Sequence, residues 1–582
     1  MAIVLSSCKG NTNNESDSMK QWPVRGWNIL TSDLEQGLET IEASKNYDIN
    51  HLQISHQVIM DLKDVRIPQR LENAKRLISA AQEVGIDEIT VWDHALYDLE
   101  YYPQRFRTGP DSTLNLDNPE FWEWFKNDYR EMLTMIPGIN GIILTFIETG
   151  ARSEDQYSEE NPDASAKLAR VINNLADVVA GEYNMSLYLR TFAYTPDEYE
   201  VITGCFDHLR HDDLKIMIKE TPHDFFLTHP NNPLAGTIDM PTIIEFDCGN
   251  EYNGQGIILN TWPDHILARA RDLLNRPNVI GYVARTDRYG KTGVVNQPAE
   301  IQLTALNAYV NDTTTTGNDV YQQFISNKYG PELIELIQPI FERSKDIITS
   351  SLYTLGTNMS NHSQLNYDPY PSSYSRHVSG RWMQEPVVNV KHDVNRQFHY
   401  WKDVVNHLAP PPFKEQGTLL DREADFAIDN GWVEPVENMN PEYLRYVITE
   451  KEFSYEAAEQ ALNEWKALKS TLSSDQFEQG YHILSRTMMT SKLYLAVVKS
   501  YFGYRTYLKH SDPEVKEIVQ SGLSEIEMVT AEMEDYPFPG PTGQWSWLDD
   551  IEMARTYYQK ITQGNWAAYD NLKIPAKNIQ TK

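Results

Sequence analysis

Cysteine is scarce in this chain of 582 residues. Its three copies, Cys8, Cys205 and Cys248, build neither a disulfide framework nor a zinc-ligand spacing. No metal site is expected from them. No stretch approaches the roughly 20 consecutive apolar residues of a membrane-spanning helix. Basic residues are also in deficit, 51 Lys and Arg against 83 Asp and Glu, for a formal net charge of -32. A field of that sign repels phosphate backbones and anionic lipid surfaces, which argues against nucleic acid as a partner. Internal repeats and coiled-coil heptads are missing as well.

What the chain does contain begins with a short apolar run, Ala2 to Ser7, ending at Cys8. It resembles the end of a bacterial lipoprotein signal with Cys8 as the acylated residue, although the apolar part is shorter than a complete signal. A polar tether from Lys9 to Ser18 follows. On this reading residues 1–21 are a signal remnant and tether. The protein is then exported and lipid-anchored through Cys8 at the cell envelope, in the periplasm or on the surface.

From Trp22 onward, short apolar runs alternate with longer amphipathic stretches, the mark of a repeated βα unit. Strands are expected at Arg25–Leu30, Ile49–Ser55, Asp87–Trp92, Gly141–Ile147, Ser186–Thr191, Leu214–Lys219, Thr242–Asp247 and Val279–Arg285. Helical periodicity fills Leu34–Ser44, Arg70–Val84, Pro119–Ile136 and Ala164–Glu182, with Asp117-Asn118-Pro119 as a start signal for the third. Eight strands with alternating helices within residues 22–300 have the size of one (β/α)8 TIM barrel, an α/β fold. Beyond residue 300 helical periodicity takes over, so residues 301–582 are expected to form a mainly α-helical C-terminal region. A loop-rich aromatic insertion is read near 353–386, a helix from Val387 to His407, and a connection at Pro410-Pro-Pro412. Long amphipathic segments follow at Pro441–Leu472, Asp475–Lys509, Pro513–Glu534 and Trp547–Gln563. This region either completes a pocket or builds a homodimer.

In such barrels, chemistry gathers where strands end at the C-terminal face. The run Gly141-Ile-Ile-Leu-Thr-Phe-Ile-Glu148 delivers one carboxyl there and breaks at Gly150, which makes Glu148 a candidate acid. Its plainer reading is a solvated loop charge or a helix N-terminal carboxylate. Trp92-Asp93-His94, Arg190, Lys219 to Asp224, Asp247 to Glu251 and Asp287-Arg288 end other strands. Cleavage of a glycosidic bond with inversion needs a protonated acid and an ionised base, roughly 6.5–9.5 Å apart. This face has the acids to supply both. Asp93 and Asp247 are equally readable as rim ion pairs, and the supply of Trp and Tyr suits the stacking of sugar rings only as a weak tendency.

Three segments together resemble glycoside hydrolase family 67, the α-glucuronidases that remove glucuronic acid from xylan side chains. They are Asn118-Pro-Glu-Phe-Trp through Ile136-Pro-Gly-Ile to Glu148, then Lys219-Glu-Thr-Pro-His-Asp224-Phe, then Glu245-Phe-Asp-Cys-Gly-Asn-Glu251-Tyr-Asn-Gly-Gln. The resemblance implies that Glu148 is the general acid and that Asp224 and Glu251 are the paired base residues. It also implies that Arg190 and Lys219 grip the uronate, a task suited to a planar guanidinium and a point charge. Looser echoes run through Arg288-Tyr-Gly-Lys-Thr-Gly293.

The pattern departs from the family in two places near Glu148. Leu144 replaces a lysine four residues before the acid, and Thr149-Gly-Ala replaces Gly-Gln-Pro, which leaves the aglycone and the exact sugar open. The barrel's first strand begins near Arg25, so the family's separate N-terminal domain is not expected. Trp92, Asp93, His94, Trp262 and Arg288 are read as pocket walls or hydroxyl partners, each with a packing role as the alternative.

The expected activity is thus exo-acting removal of a terminal uronic acid from a glycan by single displacement, with no cofactor. A glycosidase for a different or neutral sugar on the same scaffold is the nearer alternative. A non-catalytic glycan-binding lipoprotein is the farther one, since a binder has no need of three ordered carboxylate motifs.

Overall fold

The structure is a computed structural model that describes residues 21–193, 196–222, 224–227, 231–354, 357–365, 426–429, 432–435, 440–540 and 547–563. Cys8, its tether to residue 20, most of the 353–386 insertion, the helix read at Val387–His407 and the Pro410–Pro412 connection lie outside the described residues.

Eight parallel strands close into a barrel: β1 (Val24–Ile29), β2 (His51–Ile54), β3 (Glu88–His94), β4 (Gly141–Thr145), β5 (Ser186–Arg190), β6 (Lys215–Lys219), β7 (Thr242–Phe246) and β8 (Val279–Arg285). Each matches an expected strand to within two residues at its start or end. The seam is the pairing of β1 with β8, Val24 opposite Gly281 through Asn28 opposite Arg285. On its other side β8 carries one extra residue against β7, because Thr242 faces Val279 while Ile243 faces Gly281. Gly281 sits at that irregularity, and a Cβ there would collide with the Val24 carbonyl. Only glycine lets the seam close.

The connecting helices are α1 (Leu34–Ala43), α2 (Pro68–Glu83), α3 (Pro119–Met135), α4 (Ala164–Ala176), α5 (Pro196–Cys205) and α6 (Pro263–Leu273). Local chemistry sets their starts. Asn118 caps α3 by accepting from Glu120 N–H at 2.9 Å, with Pro119 in the first turn, where a missing N–H costs nothing. Asp33 and Asp163 cap α1 and α4 in the same way. Between β6 and β7 the described residues contain no α-helix, only irregular chain. That loop carries Asp224.

Alternation within the strands separates two apolar layers. Trp92, Ile143, Tyr188, Met217, Ile243 and Val283 point inward and fill the barrel. Their neighbours Val91, Leu144, Leu189 and Ile244 point outward into the large core beneath the helices.

The C-terminal region is helical: α7 (Ile301–Asn311), α8 (Gly317–Lys328), α9 (Ile334–Ser351), α10 (Pro441–Ala467), α11 (Ser474–Val497), α12 (Gly503–His510), α13 (Pro513–Asp535) and α14 (Trp547–Gln563). Its second core joins residues of α9, α10, α11, α13 and α14 to Leu227, Ile257 and Ile258 from the loops behind β6 and β7. The helices therefore rest on the loops that form the mouth. Two small hairpins follow α9: β9 (Tyr353–Thr354) with β10 (Thr357–Asn358), and β11 (Ser360–Asn361) with β12 (Gln364–Leu365). Lys451 of α10 is fully buried and donates to the carbonyls of Ser350, Ser351 and Tyr353, which satisfies the end of α9. A third pair, β13 (Phe426–Asp429) with β14 (Trp432–Pro435), completes the described strands.

Candidate active site

The last inward positions of β5, β6, β7 and β8 are Arg190, Lys219, Glu245 and Arg285, and all four are buried. Glu245 is their hub. Its Oε2 accepts from Arg190 Nε at 2.9 Å and its Oε1 from Arg285 Nε at 2.7 Å. Burial alone would raise this carboxyl, but the charges of Arg190, Arg285 and Lys219 outweigh it and hold it down at about 2. An ionised anion buried among three cations is costly to build and unforgiving to break.

The two expected base residues meet above this hub. Asp224, half-buried, receives Lys219 Nζ on Oδ1 and the Tyr252 hydroxyl on Oδ2, both at 2.6 Å. Glu251 is fully buried. Arg285 Nη1 reaches its Oε2 at 2.7 Å, Arg288 Nη2 its Oε1 at 2.7 Å, and His362 Nε2 the same Oε1 at 3.1 Å. Burial works against ionisation of Glu251, yet Arg288, the His362 hydrogen bond and Arg285 prevail and its carboxyl is held below the usual range. Asp247 behaves oppositely. It is buried beside Glu251, accepts the Glu251 backbone N–H at 2.7 Å, and is pushed well up by burial and by the Glu251 charge. Of this neighbouring pair Glu251 is the ionised member and Asp247 the neutral one.

Glu148 lies three residues past β4, exposed, with φ at 63°, a backbone region that non-glycine residues seldom occupy. Its exposure agrees with the plainer reading of a solvated loop carboxylate as well as with an acid at the rim. Its charge nonetheless reaches the half-buried Tyr289 phenol, which is raised first by desolvation and then by Glu251 and Glu148, against Arg288 and Arg285. Glu148 and Glu251 thus act electrostatically on the same tyrosine.

The remaining candidates divide by strand alternation. Trp92 points inward as the floor, its ring 4.5 Å from the Arg190 guanidinium and 4.5 Å from the His56 ring. His94 also points inward; its Nδ1 is 2.6 Å from Asp61, and its Nε2 is buried without a hydrogen-bond partner. Asp93, on the opposite face, accepts from Leu62 N–H and from the hydroxyls of Tyr97 and Tyr129, behind the sheet. Burial raises it to about 6. It anchors the wall and does not reach the mouth. Trp262 packs against His265 at 5.1 Å and under Lys345 of α9 at 5.3 Å, where barrel and helical region meet. Leu144, whose place in the motif would be beside the scissile bond, is fully buried in the outward layer. A lysine there would point away from the mouth.

Sequence reasoning did not single out Arg285, Tyr252, Tyr289, His56 or His362. His56 lies two residues past β2 and is held neutral by burial and by Arg285, Arg288, Arg190 and Lys219 around it. Nothing local marks these residues; their charges and rings acquire meaning only from their neighbours.

Asp224, Glu251 and His362 present possible metal-ligand atoms within 4.8 Å of one another. The donor set does not suit a dication, because Lys219, Arg285 and Arg288 already neutralise those carboxylates and would repel a second positive charge.

Residues 95–272 match the family model of the glycosyl hydrolase family 67 middle domain, a span that includes Glu148, Arg190, Lys219, Asp224 and Glu251. Among solved structures, a family 138 glycoside hydrolase targeting pectin rhamnogalacturonan II is similar at a TM-score of 0.57 and 12% identity, over 95% of this chain and 69% of that one. It shares the fold. A family 115 4-O-methyl-α-glucuronidase with specificity for decorated arabinogalactans gives a TM-score of 0.47 at 10% identity, over 94% and 59% of the two chains. An O-GlcNAc hydrolase of Thermobaculum terrenum gives 0.43 at 12% identity, over 95% and 98%. No curated protein matches the chain. The chain is thus similar to the glycosyl hydrolase family 67 middle domain over residues 95–272, within a closed barrel followed by a helical C-terminal region.

Proposed function

We propose that this protein is an exo-acting glycoside hydrolase that removes a terminal uronic acid from a glycan with inversion. One observation carries the choice of sugar. Arg190 is 1% exposed, yet its Nη1 has no hydrogen-bond partner. A buried guanidinium nitrogen without a partner, at the end of a barrel strand, suits an anionic oxygen. Lys219 stands close by, since Arg190 Cζ and Lys219 Nζ lie 5.2 Å and 3.7 Å from the Phe192 ring centre. Together they offer a uronate carboxylate a fork and a point charge.

The chemistry follows from where the acids stand. Glu148 enters from the loop after β4 and the Asp224–Glu251 pair from the loops after β6 and β7, and inversion requires acid and base to stand on opposite faces of the sugar with water between base and anomeric carbon. Glu148 gives its proton to the leaving oxygen as that oxygen's bond to the anomeric carbon breaks. Water attacks the opposite face and passes its proton to Asp224. We assign acceptance to Asp224 because Glu251, clamped by two guanidinium groups, is the weaker base and holds geometry and charge instead.

The test is release of free sugar from uronic-acid-capped oligosaccharides and neutral controls, comparing wild type with Glu148→Gln and Asp224→Asn. Uronic acid freed by wild type and by neither variant supports the assignment. Release of a neutral sugar alone refutes the role of Arg190 and Lys219. Silence across the panel together with measurable binding favours the glycan-binding alternative. Lipid anchoring at Cys8 belongs to the same proposal and is checked separately, by incorporation of labelled fatty acid that Cys8→Ala abolishes.

A further inference from the structure

The second small hairpin places two residues where side chains are seldom found. β11 and β12 pair Ser360 with Leu365 and Asn361 with Gln364, so His362 and Ser363 are the two residues of the turn, at φ 48° and 62°. Two-residue turns with both central φ positive favour Asn-Gly, because other side chains are strained there. Here the strained pair is fully used. Ser363 Oγ accepts from Gly254 N–H at 2.8 Å and donates to the Glu251 carbonyl at 2.9 Å. His362 Nε2 lies 3.1 Å from Glu251 Oε1 and 3.3 Å from the Tyr252 hydroxyl, with its ring 4.9 Å from the Tyr252 ring. Since the Tyr252 hydroxyl donates to Asp224, its oxygen is left to accept, and one Nε2–H serves both Glu251 and Tyr252. His362 therefore links Glu251, through Tyr252, to Asp224.

The hairpin belongs to the helical region and is tied down by it. Leu365 N–H is held by Asp550 of α14, Ser360 Oγ donates to the Leu352 carbonyl, and Lys451 of α10 fastens the end of α9 from which the hairpin springs. Strained backbone that persists at a mouth, fixed from three sides, points to a function for the residue displayed there.

We propose that His362 is a positioning residue by which the C-terminal helical region completes the active site, fixing Glu251 and Asp224 around one water. This rests on the hydrolase reading above. Among the described residues, the charged groups that act on Glu251 are Arg285 and Arg288 from β8 and the loop behind it, Asp224 from the β6 loop, Asp247 from the end of β7, and His362 from the hairpin, with Glu148 acting beyond Tyr289. Of these, His362 alone comes from outside the barrel.

Two variants test it. His362→Phe retains a ring against Tyr252 and lacks the N–H, whereas His362→Gln offers an amide N–H near the place of Nε2. The first readout needs no substrate: carbon-13 NMR of labelled glutamate carboxyls, with the Glu251 signal assigned by its loss in Glu251→Gln. Phe is expected to move the Glu251 titration up by about one pH unit, since a hydrogen bond to an ionised group is lost, and Gln to return most of the shift. The second readout is the pH profile of kcat/KM on a uronide. Its acid limb should rise with the same variant, and kcat should fall by about tenfold with little change in KM. An unmoved Glu251 titration in His362→Phe overturns the proposal, as do equal losses in Phe and Gln without a pH shift. If the titration moves while wild type cleaves no uronide, the uronidase reading falls and the hold of His362 on Glu251 stands.

Discussion

Arg190 of β5 and Glu245 of β7 stand 55 residues apart in the sequence and 2.9 Å apart across the barrel mouth. Their ion pair joins Arg190 to the hub that orients Arg285, and through Arg285 it reaches Glu251. Arg190, Glu245, Arg285 and Glu251 are one electrostatic unit.

That unit has a pH signature. A carboxyl held down at about 2 from its ordinary 4.5 stabilises the fold while ionised, and the contribution is lost as pH falls through that window. The amount is about 3 kcal/mol. Between pH 4.5 and 2 the urea midpoint of wild type should therefore fall more steeply than that of Glu245→Gln, which is less stable at neutral pH to begin with. Parallel slopes would mean that Glu245 is not the ionised centre of this cluster.

Glu148 should separate activity from stability. It is exposed, so Glu148→Gln should change stability by no more than about 0.5 kcal/mol. Loss of its proton transfer should lower kcat by about 10²–10⁴-fold. Steady-state kinetics beside a thermal melt decide the matter, and a variant that melts early with normal turnover per folded molecule would remove Glu148 from the mechanism.

Leu144→Lys asks whether the family's lysine can be restored at its sequence position. The side chain lies in the outward layer, so the substitution buries an unpaired ammonium beneath the helices. We expect a stability loss of about 3 kcal/mol or more, with no gain in affinity for uronides. Tighter uronide binding would show that this residue faces the pocket.

Asp550, which holds the hairpin through Leu365 N–H, is raised by burial to about 8. A buried acid with a raised value adds most stability below its unfolded value of 3.8, and that is lost as pH rises through 8. Asparagine can still accept from Leu365 and has no proton to lose. Asp550→Asn should therefore be more stable than wild type at pH 8 by a few kcal/mol, about 1–3, with the advantage gone at pH 4. Denaturant melts at the two pH values test this, and a constant difference would contradict the buried neutral acid.

Much of the barrel was legible because its cues are local. Apolar runs of strand length, Asn118-Pro119 before α3 and carboxylates at strand ends are all readable from neighbours in the chain. Alternation, applied with the closed barrel in hand, then divides a single tripeptide: Trp92 and His94 face inward, while Asp93 faces Tyr97 and Tyr129 behind the sheet. The motif alone left all three readable either as pocket residues or as packing. His362 was out of reach, because its turn carries no Asn-Gly signal and its partner Glu251 lies more than a hundred residues earlier.

By itself, the sequence determined the number and order of the strands, the barrel class and the helical character of the region beyond residue 300, and it offered a set of candidate carboxylates and cations at the strand ends. These depend on periodicity, capping and residue type, which act over a few residues. Only the tertiary structure decided which of the acids is neutral and which is charged, that Asp247 is raised while Glu251 four residues later is lowered, and that a helical region supplies a histidine to the barrel mouth. The reason is that burial and charge act through space: a carboxyl responds to the guanidinium beside it in the fold, however far away that guanidinium lies along the chain.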